Sequence, residues 1–378
     1  MKKTTLILAG IALIAASCAK TEVVSSGALS SQKGIGFSAY TARPTKAAQT
    51  DVTTDNFNSF EVTAIGNGAV YFDNVTFTKN NEGVWASTPL YFWPAFPLTF
   101  CAYNTPSGYD TPVQPTGFGR TINTTTQTLE VTPATELANQ EDLVAAYAEG
   151  KIESDATSTG NSLSLTFNHY LTQVVVKAKC SNSNYIVVVD RVKLANMAGH
   201  GTYTFSTNTM TAPDGIKNNE YSIDYTANFT AKTLTSDAQE VMTNAGTGKW
   251  YLIPQTVTPW AQSTDLENTS HGTYLALKVK ITSAGGSKVY PVRGEESAWM
   301  AVPVPPDLAF AQGTKYNVTF DFFSATGGGA GYVDPEEPGD LDGDSSTEDN
   351  GKKIIGGAIK FDAEVSGWGN AVDITIFL

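Results

Sequence analysis

The 378-residue sequence has few of the residues that most often carry chemistry: three cysteines, three histidines and only 16% charged residues. Three cysteines cannot form a disulfide framework, and three histidines leave little for metal binding or acid–base catalysis. The 37 acidic residues outnumber the 24 basic ones. The resulting net charge of −13 repels phosphate backbones and argues against nucleic-acid binding. The 41% hydrophobic content is, in turn, too high for a disordered chain.

Sequence motifs of the common enzyme classes are also missing. The chain contains no HExxH, no CxxC, no phosphate-binding GxxxxGK[ST] loop and no GxSxG nucleophile elbow. Asp340, Asp342 and Asp344 have the spacing of the first half of an EF-hand loop. Ser345 and Gly351 stand where that loop needs Gly and Glu, so no tight Ca²⁺ site is expected. The sequence therefore predicts no enzymatic activity, no metal site and no cofactor.

Three side chains of reactive type have a structural interpretation. His169 lies in the run FNHY and is expected to be a hydrogen-bonded histidine at the beginning of a strand rather than a catalytic base. Cys101 and Cys180 are predicted in strands of different domains, as two buried free thiols. A disulfide between them is the alternative, because its geometry does not follow from the sequence.

The N-terminus resembles a bacterial lipoprotein signal. Lys2 and Lys3 precede an apolar stretch at 6–16, which is too short to span a bilayer, and small residues lead directly to Cys18. This pattern predicts a signal peptide over 1–17, an acylated Cys18 and a flexible tether over 18–33. A plain secretory peptide cleaved near Ser17 is the alternative.

Short segments with period-two alternation of apolar and polar residues repeat from residue 34 onward. β-Branched runs at 174–176 and 186–189 favour strands, and Gly, Asn, Asp and Pro between the segments indicate antiparallel β-sandwiches. A polar stretch at 149–160 marks the boundary between predicted domains at 34–158 and 159–378. The runs 134–142 and 236–244 are candidates for short helices.

The C-terminal part of the chain combines an acidic stretch with two alternating segments. Eight acidic residues and no basic residue lie between Asp334 and Asp349, which predicts a solvated loop over 326–353. Residues 358–365 and 372–376 then read as two strands. Strands that follow a long flexible loop are able to pair with another chain.

Four groups of segments occur in order along the mature chain. They are IGF at 35–37 with RPTKA at 43–47, YFWP at 91–94 with LTFCAY at 98–103, LTFNHYLTQV at 165–174, and GYVDP at 331–335 with GGAIKF at 356–361 and VxxW at 365–368. In this order they resemble the fimbrillin-like (Mfa-like) lipoproteins, the subunits of type V pili.

The resemblance implies an all-β fold of two transthyretin-like antiparallel β-sandwich domains in tandem. It also implies a structural role in a cell-surface fimbria that mediates adhesion, without enzymatic activity. The implied partners are other pilus subunits, the outer membrane through the lipid anchor, and a host protein or glycan. Subunits of this family assemble by strand donation: a protease removes the first strand, and the C-terminal strand of the next subunit fills the groove.

Carried over to this chain, the resemblance makes Gly34 to Tyr40 the removable strand. The cut would fall at Arg43 or at Lys46. Lys46 is a rival to Arg43 because Pro44 follows Arg43 and trypsin-like proteases cut poorly before a proline. An uncleaved chain would instead be a tip, anchor or regulatory subunit.

The donor strand implied by the resemblance is Ala371 to Leu378, with Val372, Ile374 and Ile376 as its alternating apolar side chains. The alternative is an ordinary edge strand that closes its own sheet. A second functional hypothesis is a surface lipoprotein that binds glycans through exposed Trp and Tyr side chains. Aromatic residues packed inward would favour the fimbrial interpretation, and a solvent-facing aromatic cluster would favour glycan binding.

Overall fold

The structure is a computed structural model that describes residues 33–41, 57–79, 85–104, 122–135, 137, 140–156, 162–212, 222–243, 248–260, 272–291, 296–305, 308–324, 361–363, 366–367 and 372–377. Within these residues the chain forms 25 strands, a short 3₁₀ helix (Glu153–Asp155) and no α-helix, which confirms the all-β prediction. None of the described helices is long and apolar enough to cross a membrane.

Seven of the first nine strands form a closed barrel in the order β1-β4-β3-β2-β5-β8-β9. The nine strands are β1 (Gly36–Thr41), β2 (Ser59–Gly66), β3 (Ala69–Lys79), β4 (Trp85–Ser87), β5 (Leu98–Asn104), β6 (Ile122–Asn123), β7 (Thr128–Val131), β8 (Val144–Lys151) and β9 (Ser162–His169). β2 and β3 are joined by Asn67 and Gly68, with φ of 52° and 74°. Positive φ at both positions suits a tight hairpin, and Asn and Gly adopt it readily.

The second region contains thirteen further strands. They are β10 (Thr172–Cys180), β11 (Tyr185–Ala198), β12 (Gly201–Thr204), β13 (Thr209–Thr211), β14 (Ser222–Thr233), β15 (Gln239–Glu240), β16 (Trp250–Leu252), β17 (Gln255–Thr256), β18 (Tyr274–Ser283), β19 (Lys288–Tyr290), β20 (Ala298–Pro303), β21 (Ala309–Phe310) and β22 (Thr314–Phe322). β10 and β22 are central to one sheet, and β11 and β18 to another. Val174 and Val176 of β10, Val318 of β22, Val187 of β11 and Leu277 of β18 share one buried core. The two sheets therefore pack face to face as a sandwich.

Three C-terminal strands complete the first of these sheets. They are β23 (Phe361–Ala363), β24 (Ser366–Gly367) and β25 (Val372–Phe377). β25 runs parallel to β22 and antiparallel to β23, while β24 pairs with the start of β22. The described order at this side of the sheet is β10-β22-β25-β23.

β5 lies between the barrel core and a second apolar cluster. Phe100 and Ala102 point into the barrel core, whereas Cys101 and Tyr103 belong to a second cluster on the opposite face that also contains Tyr203 of β12. Successive strand residues point to opposite faces. Because both faces of β5 are covered, the run LTFCAYN is almost entirely buried.

Several features differ from what the sequence indicated. β9 closes the first barrel, although it follows the predicted boundary at 158/159, and one sheet combines β6 and β7 with β12 and β13. The domain division itself stays a prediction. β15 lies within the run 236–244, so the helix considered there is wrong. Three pairs, β1–β9, β10–β22 and β22–β25, are parallel, whereas the sequence indicated antiparallel pairing.

Candidate assembly site

β1 is the strand that closes the barrel. On one side it pairs antiparallel with β4, where Gly36 lies opposite Ala86 and Phe37 opposite Trp85. On the other side it pairs parallel with β9 over six residue pairs, from Gly36 opposite Ser162 to Thr41 opposite Phe167. Removing β1 would leave the backbone N–H and C=O groups of both neighbours unpaired at a sheet edge, which is a template for another strand.

The side chain of Phe37 occupies an aromatic pocket in the barrel core. Phe37 is 0% exposed. Its ring makes edge-to-face contacts with Phe77 at a centroid distance of 4.8 Å, with Phe100 at 5.3 Å and with Phe60 at 5.9 Å. Ile35, two residues earlier, is also buried in this core. β1 therefore fills the barrel as well as closing it.

The N-terminal end of β1 is fixed by the chain that precedes β5. The Ile35 N–H donates to the carbonyl of Tyr91 at 2.7 Å, and the Trp93 N–H donates to the carbonyl of Lys33 at 3.3 Å. The Lys33 Nζ lies 3.6 Å from the Glu153 Oε1 in a surface ion pair. Ion pairs of this kind contribute little, so the backbone bonds and Phe37 hold the strand in place.

The three C-terminal strands form the other end of the candidate site. In the register with β22, Val372 lies opposite Tyr316, Ile374 opposite Val318 and Ile376 opposite Phe320. β23 pairs with β25 through residues 361–363 opposite 376–374. Within the described residues β23 has this one partner, so it is the outermost strand of the sheet.

A family model described as Fimbrillin-like matches residues 26–329 of this sequence. The chain belongs to the fimbrillin-like family. The match covers both the barrel and the sandwich, and it confirms the resemblance drawn from the sequence segments.

Two fimbrial proteins are among the solved structures to which this fimbrillin-like chain is similar. A fimbrial protein from Bacteroides vulgatus ATCC 8482 is 15% identical, with 88% of this chain and 99% of that chain covered and a TM-score of 0.50. At this identity the likeness concerns the fold. The fimbrial anchor protein Mfa2 from Porphyromonas gingivalis is 14% identical, with coverages of 68% and 81% and a TM-score of 0.29. The comparison with curated proteins found no match.

Cys18, Arg43 and Lys46 lie outside the described residues of this fimbrillin-like chain, as does the predicted acidic loop at 326–353. The roles assigned to those three residues stay predictions. The segment from Gly34 to Tyr40 contains most of β1, and the segment from Ala371 to Leu378 contains β25.

His169 is part of a buried polar network at the seam of β5, β8 and β9. Its Nδ1 lies 2.9 and 3.1 Å from the two carboxylate oxygens of Asp142, and both side chains are buried. The Asn104 Nδ2 donates to the Asp142 carbonyl at 2.9 Å, and the Asn104 Oδ1 accepts from the Val144 N–H at 2.8 Å. The network joins three barrel strands, which agrees with the structural role predicted for His169. The residue ends β9 rather than beginning a strand.

Both described cysteines of the fimbrillin-like chain are free and buried. Burial raises the pKa of Cys101 to about 12. The pKa of Cys180 is also raised, chiefly by burial. Because the thiolate is the reactive form, neither thiol is suited to nucleophilic chemistry. No cluster of three or more metal-binding side chains occurs in the part of the chain that the structure describes.

The aromatic side chains whose burial the structure describes are buried or half-buried. All five described Trp residues are at most 4% exposed, and no Trp, Tyr or Phe falls in the exposed class among the residues whose burial is described. The five are Trp85, Trp93, Trp250, Trp260 and Trp299. A sugar-stacking surface needs exposed rings, so this distribution favours the fimbrial interpretation over glycan binding.

Sequence reasoning found the first strand but missed the pocket that receives it. Phe60, Phe77 and Phe100 come from β2, β3 and β5, and their convergence on Phe37 depends on the barrel order. The available signal was the alternation of apolar residues in each of these segments. That signal indicates which face is buried, but not which buried residues meet.

Proposed function

We propose that this chain is a structural subunit of a cell-surface fimbria that assembles by strand exchange and mediates adhesion. The observation that carries the proposal is the position of β1, a terminal strand that closes a barrel and places Phe37 in its core. Exchange of such a strand for one from another chain restores the same backbone pairing and the same filled pocket.

The assembly step follows from what β1 covers. Cleavage at Arg43 or Lys46 separates β1 from the rest of the chain, and its departure exposes an apolar trough between β4 and β9. The donor is a C-terminal strand of another subunit. Val372, Ile374 and Ile376 alternate with polar residues in the sequence of β25 and are the donor residues that the family resemblance implies. The second candidate donor is β23.

The proposed location is the outer membrane, with Cys18 carrying the lipid. The tether over 18–33 ends at Lys33, directly beside β1, so cleavage after β1 also detaches the subunit from its anchor. One event would therefore release the subunit and open its groove. Metabolic labelling with a palmitate analogue tests the anchor: the parent chain should take up label, and a Cys18→Ala variant should not.

Assembly is tested with the full chain treated with a trypsin-like protease. The parent should acquire a new N-terminus at Pro44 or Ala47 and form polymers detectable by light scattering. An Arg43→Ala/Lys46→Ala double variant should remain monomeric. A variant lacking residues 356–378 should be cleaved and stay folded, because β10–β22 and the sandwich core remain, yet it should form no polymer. Equal polymerisation of that variant and the parent would refute strand exchange through the C-terminus.

A further inference from the structure

The sequence of β1 is repeated near the C-terminus. Residues 35–39 read I-G-F-S-A, and residues 359–363 read I-K-F-D-A. No other segment of the sequence has the pattern I-x-F-x-A. The first copy fills the barrel, and the second leads into and includes β23 (Phe361–Ala363).

We propose that residues 359–363, rather than the last strand β25, replace β1 in the next subunit, and that this subunit is a second copy of the same chain. The inference rests on the strand exchange proposed above, and it identifies the donor segment and the subunit that receives it. Both halves of the match, the pocket and the segment that fits it, are present in one chain. A chain with both halves is suited to form a homopolymer.

The pocket selects an aromatic side chain at its centre. Phe37 is surrounded by the rings of Phe60, Phe77 and Phe100, with centroid distances of 4.8–5.9 Å. A smaller side chain would leave a cavity among these rings, and cavities in a packed core are costly. Phe361 restores the same ring at the same place, with Ile359 two residues before it, as Ile35 precedes Phe37.

β25 offers a poorer match to this pocket. If Ile374 takes the central position, the aromatic contact is lost. If Phe377 takes it instead, Thr375 would replace Ile35, which is buried in the barrel core. The Thr375 hydroxyl would then lie among apolar side chains, and burying a hydroxyl without a hydrogen-bond partner is unfavourable. The segment 359–363 avoids both problems, because its apolar residues share one face and its charged residues the other.

β23 is also the easier strand to release. Within the described residues it pairs with β25 alone, over three residue pairs. β25 is held on both sides, with six pairs to β22 in addition to those with β23. Detaching β23 leaves the β22–β25 pairing intact, so the donating subunit keeps its sheet.

The register follows from that of β1. If Phe361 takes the place of Phe37, the segment runs parallel to β9, and Asp362 takes the place of Ser38, opposite Ser164. The match departs at Gly36, which is buried and would be replaced by Lys360. This position faces away from the barrel core, so the lysine side chain would not enter the aromatic pocket.

Side-chain variants test the choice of donor. A Phe361→Ala variant should bind its neighbour at least about 100-fold more weakly than the parent, as expected for truncating a buried phenylalanine. Phe377→Ala is the matched control and should assemble like the parent. A chain lacking residues 371–378 retains the I-K-F-D-A segment and should still polymerise. Lys360→Gly should assemble at least as fast as the parent.

Disulfide trapping between two separately prepared variants decides the register. A Ser164→Cys chain is mixed with an Asp362→Cys chain during protease-driven assembly and then oxidised, and the linked peptides are identified by mass spectrometry. The matched control replaces Asp362→Cys with Thr375→Cys, because Thr375 would face Ser164 if Ile374 filled the pocket. We expect a 164–362 link between chains and no 164–375 link.

A 164–375 link, or polymer without a 164–362 link, overturns this inference but leaves strand exchange standing. A parent chain that is cleaved and forms no polymer overturns the proposed function, and this inference falls with it.

Discussion

The two ends of the described chain are both strands in parallel pairs, yet they are held in different ways. β1 lies between β4 and β9 and sends Phe37 into a closed barrel core, whereas the C-terminal strands extend the open side of a sheet. A strand that closes a barrel contributes side chains to the core, and its loss exposes the apolar residues that packed against those side chains. A strand at the end of a sheet can leave while the sandwich keeps its interior. The difference supports the proposal that the barrel is the acceptor and the sheet the donor.

The largest expected effect comes from emptying the aromatic pocket. Phe37→Ala should lower the free energy of unfolding by about 3–5 kcal/mol, because the cavity among Phe60, Phe77 and Phe100 cannot collapse. Urea denaturation of the uncleaved chain measures this effect. Ser38→Ala is the control on the same strand and should change stability by less than about 0.5 kcal/mol. Similar midpoints for the two variants would contradict a core role for β1.

A smaller loss should follow from disturbing β9, the parallel neighbour of β1. Asp142→Asn removes the carboxylate that faces the His169 Nδ1 at 2.9 Å. Hydrogen bonds to charged groups contribute about 1.5–3 kcal/mol, and the variant should lose a similar amount in urea denaturation. Glu153→Gln, which breaks the exposed pair with Lys33, is the control and should have little effect.

Thiol labelling compares the two regions directly. Cys101 lies in the middle of β5, and Cys180 lies at the end of β10 beside the carbonyls of Asn182 and Tyr185. At pH 8.5 iodoacetamide should modify Cys180 at least about tenfold faster than Cys101, whose pKa of about 12 keeps it protonated. Peptide mapping gives the two rates. Faster modification of Cys101 would show that the barrel opens more readily than the sandwich.

The last comparison concerns a decline of stability at alkaline pH. The Cys101 thiol has a pKa near 9 when the chain is unfolded and about 12 when it is folded. The contribution of this thiol to the free energy of unfolding is complete below pH 9. It is lost as the pH rises toward 12, because the thiol of the unfolded chain releases its proton at a lower pH than the thiol of the folded chain. Melting temperatures between pH 8 and 11 should fall less steeply for Cys101→Ala. Burial also raises the pKa of Tyr203 and Tyr225, so part of the slope should remain.

The sequence predicted the all-β class because alternation is a local property that each segment shows by itself. It identified the segment of β1 and that of β25 for the same reason. It did not predict the barrel, since the pairing of β1 with β9 joins residues more than 120 positions apart and depends on the packing of the whole region. The boundary placed at 158/159 illustrates the limit. A polar stretch marks a loop, but β9 beyond it returns to the first barrel.

The connection from β9 to β10 would have a mechanical consequence in a fibre assembled by strand exchange. Only Tyr170 and Leu171 separate the strand that holds the incoming donor from β10, which pairs parallel with β22 over eight residues. β22 in turn leads toward the subunit's own donor segment. Tension along the fibre would enter at the start of β10 and leave at the end of β22, pulling the two strands along their axes in opposite directions. The hydrogen bonds of all eight residue pairs between β10 and β22 would then resist the tension together instead of breaking one after another. The segment that connects one subunit to the next would therefore be mechanically strong.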